Sequence, residues 1–176
     1  MEHGFVRRLV YAAICLCLCL ALPFLTGQIP TIGNALCPMH IPVLLCGFLC
    51  GPWWGMGVGL VAPLLRFAVF SAPMLPLPGG PMCLELAAYG LVAGLLYRRL
   101  PNRPGSIYLS LIAAMIVGRC VWGVASAAVY HWLGNSFTWQ LFFAGAVTGA
   151  LPAIVFHILL IPILVLALRR AGIGKE

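Results

Sequence analysis

The sequence predicts an all-α membrane protein: six transmembrane helices in a compact bundle, a short second helix, and cytoplasmic N- and C-termini. Three observations carry this. Of the 176 residues, 63% are hydrophobic and only 7% charged, whereas a soluble domain carries about 25% charge. Apolar runs near the length that crosses a roughly 30 Å hydrocarbon core recur along the chain. The cationic side chains gather in a few short segments between those runs. The expected organisation is one integral membrane domain over 1–176, with spans at about 8–25, 40–50, 53–70, 82–98, 106–131 and 140–168.

The first span follows Arg7 and Arg8. Its apolar run, Leu9 to Leu25, exceeds the roughly 7–15 residues of a signal-peptide core, and Thr26-Gly27-Gln28 offers no small-x-small cleavage site. A retained helix is therefore expected. The second run, Ile41 to Cys50, is too short to cross alone and ends at Gly51-Pro52. The third is glycine-rich and carries Arg66. APMLPLPGGP, PNRPGS and LGNSFT then precede the fourth, fifth and sixth runs, and such clusters punctuate helices.

Charge decides whether the short second run is a crossing. Arg7, Arg8, Arg98, Arg99, Arg103, Arg169, Arg170 and Lys175 all flank helices. Counting 40–50 and 53–70 as two crossings places all eight in cytoplasmic segments and none in the outer segments 26–39, 71–81 and 132–139. That is the positive-inside asymmetry. Treating 40–70 as one re-entrant unit would break the parity. Trp132 and Trp139 bracket the last outer loop, and Tyr97 and Tyr108 flank the inner one, as interfacial rings do. The net charge of +7 thus sets topology and does not point to nucleic acid.

The small residues Gly51, Gly55 and Gly59, Gly90 and Gly94, and Gly145 and Gly149 recur at i, i+4. They let helix backbones approach closely in lipid. Among the eight cysteines, Cys15, Cys17 and Cys19 alternate, so neighbours point about 200° apart on a helix and cannot converge on a metal. No CxxC occurs, and packing is the expected role. Neither a metal nor a cofactor is expected.

Ionisable groups at membrane depth cost about 2.5–3.5 kcal/mol each on insertion scales and mark functional sites. Arg66, Glu85 and Arg119 are the three charged residues inside the spans. The topology puts Arg66 and Glu85 near the outer ends of the third and fourth spans, and Arg119 midway along the fifth. His40 enters the second span from outside, Asn34 and Asn135 sit in outer loops, and His157 lies deeper in the sixth span. Glu85 and Tyr89 share a face at i, i+4, as do Arg119, Trp122 and Ser126 at i, i+3, i+7. The Arg–Trp–Ser face suits a polar ligand with a flat or apolar part. A purely structural Arg66–Glu85 salt bridge is the competing reading. It would leave Arg119 to be met by a ligand carboxylate or phosphate, by helix-end carbonyls or by water. No Walker GxxxxGK[ST], HExxH or GxSxG is present, nor a pair of intramembrane aspartates. This removes ATP hydrolysis by the chain itself and the usual hydrolase readings.

The short second helix, the Gly-Pro turn and the glycine-rich third helix, PVLLCGFLCGPWWGMGVG, resemble the substrate-binding S components of energy-coupling factor (ECF) vitamin importers of the ABC type. The resemblance extends to length, helix number and the long outer loops after the first and third helices. It implies a non-enzymatic subunit in the prokaryotic plasma membrane that captures a vitamin-like small molecule. That subunit docks on a transmembrane coupling subunit and two ATPase subunits, and topples in the bilayer to release its cargo. The family's small-residue stripe on the first helix corresponds here to Ala13, Cys17 and Ala21, with cysteine departing from alanine. Arg66, Glu85, Tyr89, Arg119, Trp122, Asn135 and His40 occupy regions corresponding to the family's ligand pocket. The excess of buried positive charge points to an anionic cargo such as pantothenate; flavins, cobalamin and other vitamins stay open. Two rival classes also stay open: a small polytopic membrane enzyme acting on lipid head groups, and a non-catalytic membrane scaffold.

Overall fold

A computed structural model describes residues 2–25, 37–101 and 103–173. Thr26-Gly27-Gln28, Asn34 and Lys175 lie outside the described residues. Among the described residues the fold is all-helical: α1 (Glu2–Leu25), α2 (His40–Cys50), α3 (Pro52–Phe70), α4 (Gly79–Arg99), α5 (Pro104–Trp132), α6 (Trp139–Phe143), a π-helical turn (Ala144–Thr148) and α7 (Leu151–Arg170). Among the described residues, with α6, the π turn and α7 taken as one span, the six-helix bundle with a short second helix is as the sequence predicts. Five stretches among the described residues are long and apolar enough to cross a bilayer, and α2 is a shorter apolar helix beside them. The sixth span differs from the unbroken helix expected over 140–168. Gly145 and Gly149 sit in and just after the π turn and Pro152 starts α7, where a missing N–H and missing side chains favour a break.

With 11 residues α2 rises only about 16 Å, half the hydrocarbon thickness. It is apolar all round, and ten of its residues are buried. It touches α1, α3, α4 and α7, so it serves as the bundle's core rather than as a lipid-facing wall. Lipid tails are as apolar as its side chains, so close backbone packing must hold it. Glycines allow that. A Cβ at Gly47 would stand 2.6 Å from the Gly90 carbonyl oxygen, one at Gly55 2.7 Å from the Gly47 Cα, and one at Gly94 2.6 Å from the Pro52 nitrogen. The backbones of α2, α3 and α4 meet at this knot.

The turn between α2 and α3 needs glycine for a second reason: Gly51 has φ 106°, in the left-handed region. The Arg98 guanidinium of α4 packs where its Cβ would stand, and Arg98 Nη2 donates to the Cys50 carbonyl at 3.0 Å. The basic ends gather around this turn. Phe5 of α1 packs on Trp54 at 5.4 Å, and Arg169 of α7 lies 5.0 Å over the Tyr97 ring. At the opposite end, Phe24 meets Phe70 at 5.0 Å.

Candidate functional site

Glu85 lies in the second turn of α4 and is 3% exposed. A lone carboxylate there would be costly, and the surrounding helices supply its partners. Tyr89, one turn along α4, donates its hydroxyl to Glu85 Oε1 at 2.9 Å. Arg119 of α5 places Nη1 3.1 Å from the same oxygen. His40, at the start of α2, brings Nε2 to 3.8 Å of it, beyond hydrogen-bond distance. The Tyr89 ring is positioned by Gly118, where a Cβ would stand 2.5 Å from the tyrosine Cδ1. His40 is held in turn. Its ring lies 5.2 Å from the Tyr89 ring and stacks at 5.8 Å and 23° on His157 of α7. Its Nδ1 is 3.2 Å from the Cys37 carbonyl oxygen. That oxygen can only accept, so Nδ1 carries a proton and Nε2 is the nitrogen turned towards Glu85. Just before α2, burial pushes the Cys37 thiol up to about 11, and Arg119 beside it pulls in the opposite direction.

A cavity of about 400 Å³ opens one helical turn beyond this cluster, away from the basic end. Pro81, one turn before Glu85 on α4, and Trp122, one turn after Arg119 on α5, both line it. Ser126 supplies a hydroxyl, and Tyr130, Phe137, Ala144 and Gly145 continue the wall. The rings form a box: Trp122 meets Phe137 at 6.2 Å and Phe142 at 6.3 Å, and Tyr130 meets Phe137 at 5.4 Å. Gly145 makes room for the box, since a Cβ there would stand 2.5 Å from the Trp122 ring. The π turn carries Ala144 and Gly145 onto the wall, and π turns are frequent at functional sites.

Of the residues singled out in the sequence, Glu85, Tyr89, Arg119 and His40 converge, and Trp122 lines the cavity beside them. Arg66 and Asn135 do not join. Arg66 is half-buried on α3 and forms no ion pair among the described residues, so the Arg66–Glu85 pair considered from sequence is replaced by Arg119–Glu85. Register explains this. Gly59 of α3 abuts the Leu86 carbonyl of α4. Arg66 lies seven residues beyond that level, and Glu85 only one, which separates them by about 9 Å along the helices. Asn135 is exposed, its backbone N–H bonded to the Tyr130 carbonyl at 2.9 Å. His157, which sequence placed deeper and outside the pocket, is 2% exposed and stacks on the cluster. A lone histidine inside an apolar span was its only sequence signal. Ala13, Cys17 and Ala21 lie on one exposed face of α1.

A polytopic helical bundle with one end enclosing a polar cluster and an aromatic cavity defines a small-molecule-binding membrane protein. The family described as "ECF transporter, substrate-specific component" matches residues 7–168, and the chain belongs to that family. It is a substrate-specific membrane transporter subunit. No curated protein and no solved structure matches the chain significantly.

Proposed function

We propose that this subunit captures a water-soluble, vitamin-like micronutrient in the aromatic cavity and passes it to an energising module. The observation that carries the reading is the cavity itself. Its volume of about 400 Å³ lies within the roughly 300–1,000 Å³ of small-molecule sites, and its wall is apolar with few polar groups. Trp122 and the neighbouring rings suit a flat or apolar portion, while Ser126 on the wall, and Arg119 one helical turn beyond it, suit a polar one. Pantothenate fits such a division; Arg119, whose charge Glu85 already meets, is the group that would face its carboxylate.

The basic residues gathered at one end support cytoplasmic termini in a prokaryotic plasma membrane, with the cavity opening outwards. The exposed Ala13, Cys17 and Ala21 stripe supports docking of α1 on a transmembrane coupling subunit. Two ATPase subunits then supply hydrolysis, for which this chain has no Walker motif.

Native mass spectrometry of the purified protein tests the reading. A stoichiometric small metabolite is expected, together with thermal stabilisation by one member of a vitamin panel. Ligand at 100 times its dissociation constant adds about 2.7 kcal/mol. Turnover of lipid substrates without partner subunits would replace this reading with the enzyme.

A further inference from the structure

The Arg119–Glu85 pair is electrically neutral, yet two polar groups beside it are not satisfied. Arg119 Nε is buried without a hydrogen-bond partner, although the guanidinium binds Glu85 through Nη1 and its side chain keeps 16% exposure. His40 Nε2 is also buried without a hydrogen-bond partner, on a residue 3% exposed. With Nδ1 donating to the Cys37 carbonyl, Nε2 of a neutral His40 would meet the Glu85 carboxylate lone pair to lone pair. The two atoms stand 3.8 Å apart. A proton on Nε2 would turn that mismatch into an ion pair.

We propose that the site takes up a carboxylate-bearing ligand together with one proton. The ligand's carboxylate accepts from Arg119 Nε, and His40 Nε2 binds the proton and becomes a second cationic partner of Glu85. The inference rests on the binding-subunit reading and names the ligand class and the control of that same site. Charge balance requires the proton. A monoanion added to the neutral Arg119–Glu85 pair leaves one uncompensated negative charge in a water-poor region, which is costly. Protonated His40 restores neutrality, and the proton comes from bulk water. The other groups near His40 do not supply it: Tyr89 already donates to Glu85, and burial, which pushes the Cys37 thiol up to about 11, keeps its proton on the sulfur. α3 brings Arg66, which stands about 9 Å from the level of Glu85. His157 of α7 is the one other imidazole, stacked on the His40 ring.

The test is calorimetric titration of the full-length protein in nanodiscs between pH 5.5 and 8. Pantothenate and nicotinate are the carboxylate probes, and panthenol and nicotinamide their uncharged counterparts. A carboxylate probe is expected to bind with uptake of about one proton, its affinity falling towards tenfold per pH unit once His40 is neutral in the free protein. The uncharged counterpart should bind more weakly and without that slope. Glu85→Gln should abolish proton uptake and tighten carboxylate binding at pH 8. His40→Gln should remove the slope. Carboxylate binding by the wild type without proton uptake overturns the proposal, whatever the variants do. If neither carboxylate binds but an uncharged metabolite co-purifies, the proposal falls and the binding-subunit reading stands. If nothing co-purifies and no panel member binds, both fall.

Discussion

At the scale of single residues, the site is organised by one carboxylate oxygen. Glu85 Oε1 serves both the Tyr89 hydroxyl and the Arg119 guanidinium, so the two contacts should differ in strength. A hydrogen bond to a charged group contributes about 1.5–3 kcal/mol, whereas removing one member of a buried ion pair costs about 3–5 kcal/mol because the other charge is stranded. Arg119→Ala is therefore expected to destabilise more than Tyr89→Phe. Arg66→Ala, which breaks no ion pair among the described residues, should stay within about 0.5 kcal/mol. Denaturation in detergent would rank the three, and a large loss for Arg66→Ala would contradict the pairing. Much of this cluster was legible in sequence, since buried charge and i, i+4 spacing singled out Glu85, Tyr89, Arg119 and His40. The partner of Glu85 was not. Depth counted from helix ends put Arg66 and Glu85 in the same zone, but pairing depends on register, and register is set by which backbone atoms touch across α3 and α4. Gly59 belongs to a small-residue stripe visible in the sequence, but nothing in that stripe names the Leu86 carbonyl as what it meets.

At the scale of elements, glycine spacing announced close helix packing without saying which helices meet. The structure brings α2, α3 and α4 together through Gly47, Gly55 and Gly90, and neighbouring glycines behave differently. A Cβ at Gly55 would collide with the backbones of both partner helices, whereas nothing lies within 4 Å of one at Gly57. Gly55→Ala should therefore cost about 1–3 kcal/mol by forcing packed backbones apart. Gly57→Ala should be neutral or stabilise by up to about 1 kcal/mol through helix propensity. Both are read from denaturation and from yield after size-exclusion chromatography. Equal effects would show that the knot does not hold the bundle. Helix starts were readable because Gly-Pro, Pro-rich and Asn/Ser segments interrupt apolar runs. The break within the sixth span was not. Gly145 and Gly149 fit an ordinary packing stripe equally well, and only the seating of Trp122 against Gly145 shows what that stretch accommodates.

At the scale of the whole molecule, two ends and one face have different work. The basic end is tied together by Arg98 on the Cys50 carbonyl and Arg169 on Tyr97, while the opposite end holds the cavity. The face of α1 carrying Ala13, Cys17 and Ala21 is exposed in the isolated chain, yet α1 packs on α2 and α3 through other residues, among them buried Ala12, Cys15 and Cys19. The two faces are therefore separable by mutation. Enlarging the exposed stripe with Ala13→Leu and Ala21→Leu touches no packed side chain, so the isolated protein should keep its stability to within about 0.5 kcal/mol. A helix that docks through small residues depends on close backbone approach, and two added isobutyl groups would hold the partner away. Co-purification with the coupling and ATPase subunits is thus expected to fall sharply, while thermal stabilisation of the isolated subunit by its ligand is retained. Parallel loss of ligand response would place α1 in the binding site, and undiminished co-purification would move the docking surface to another face of the bundle.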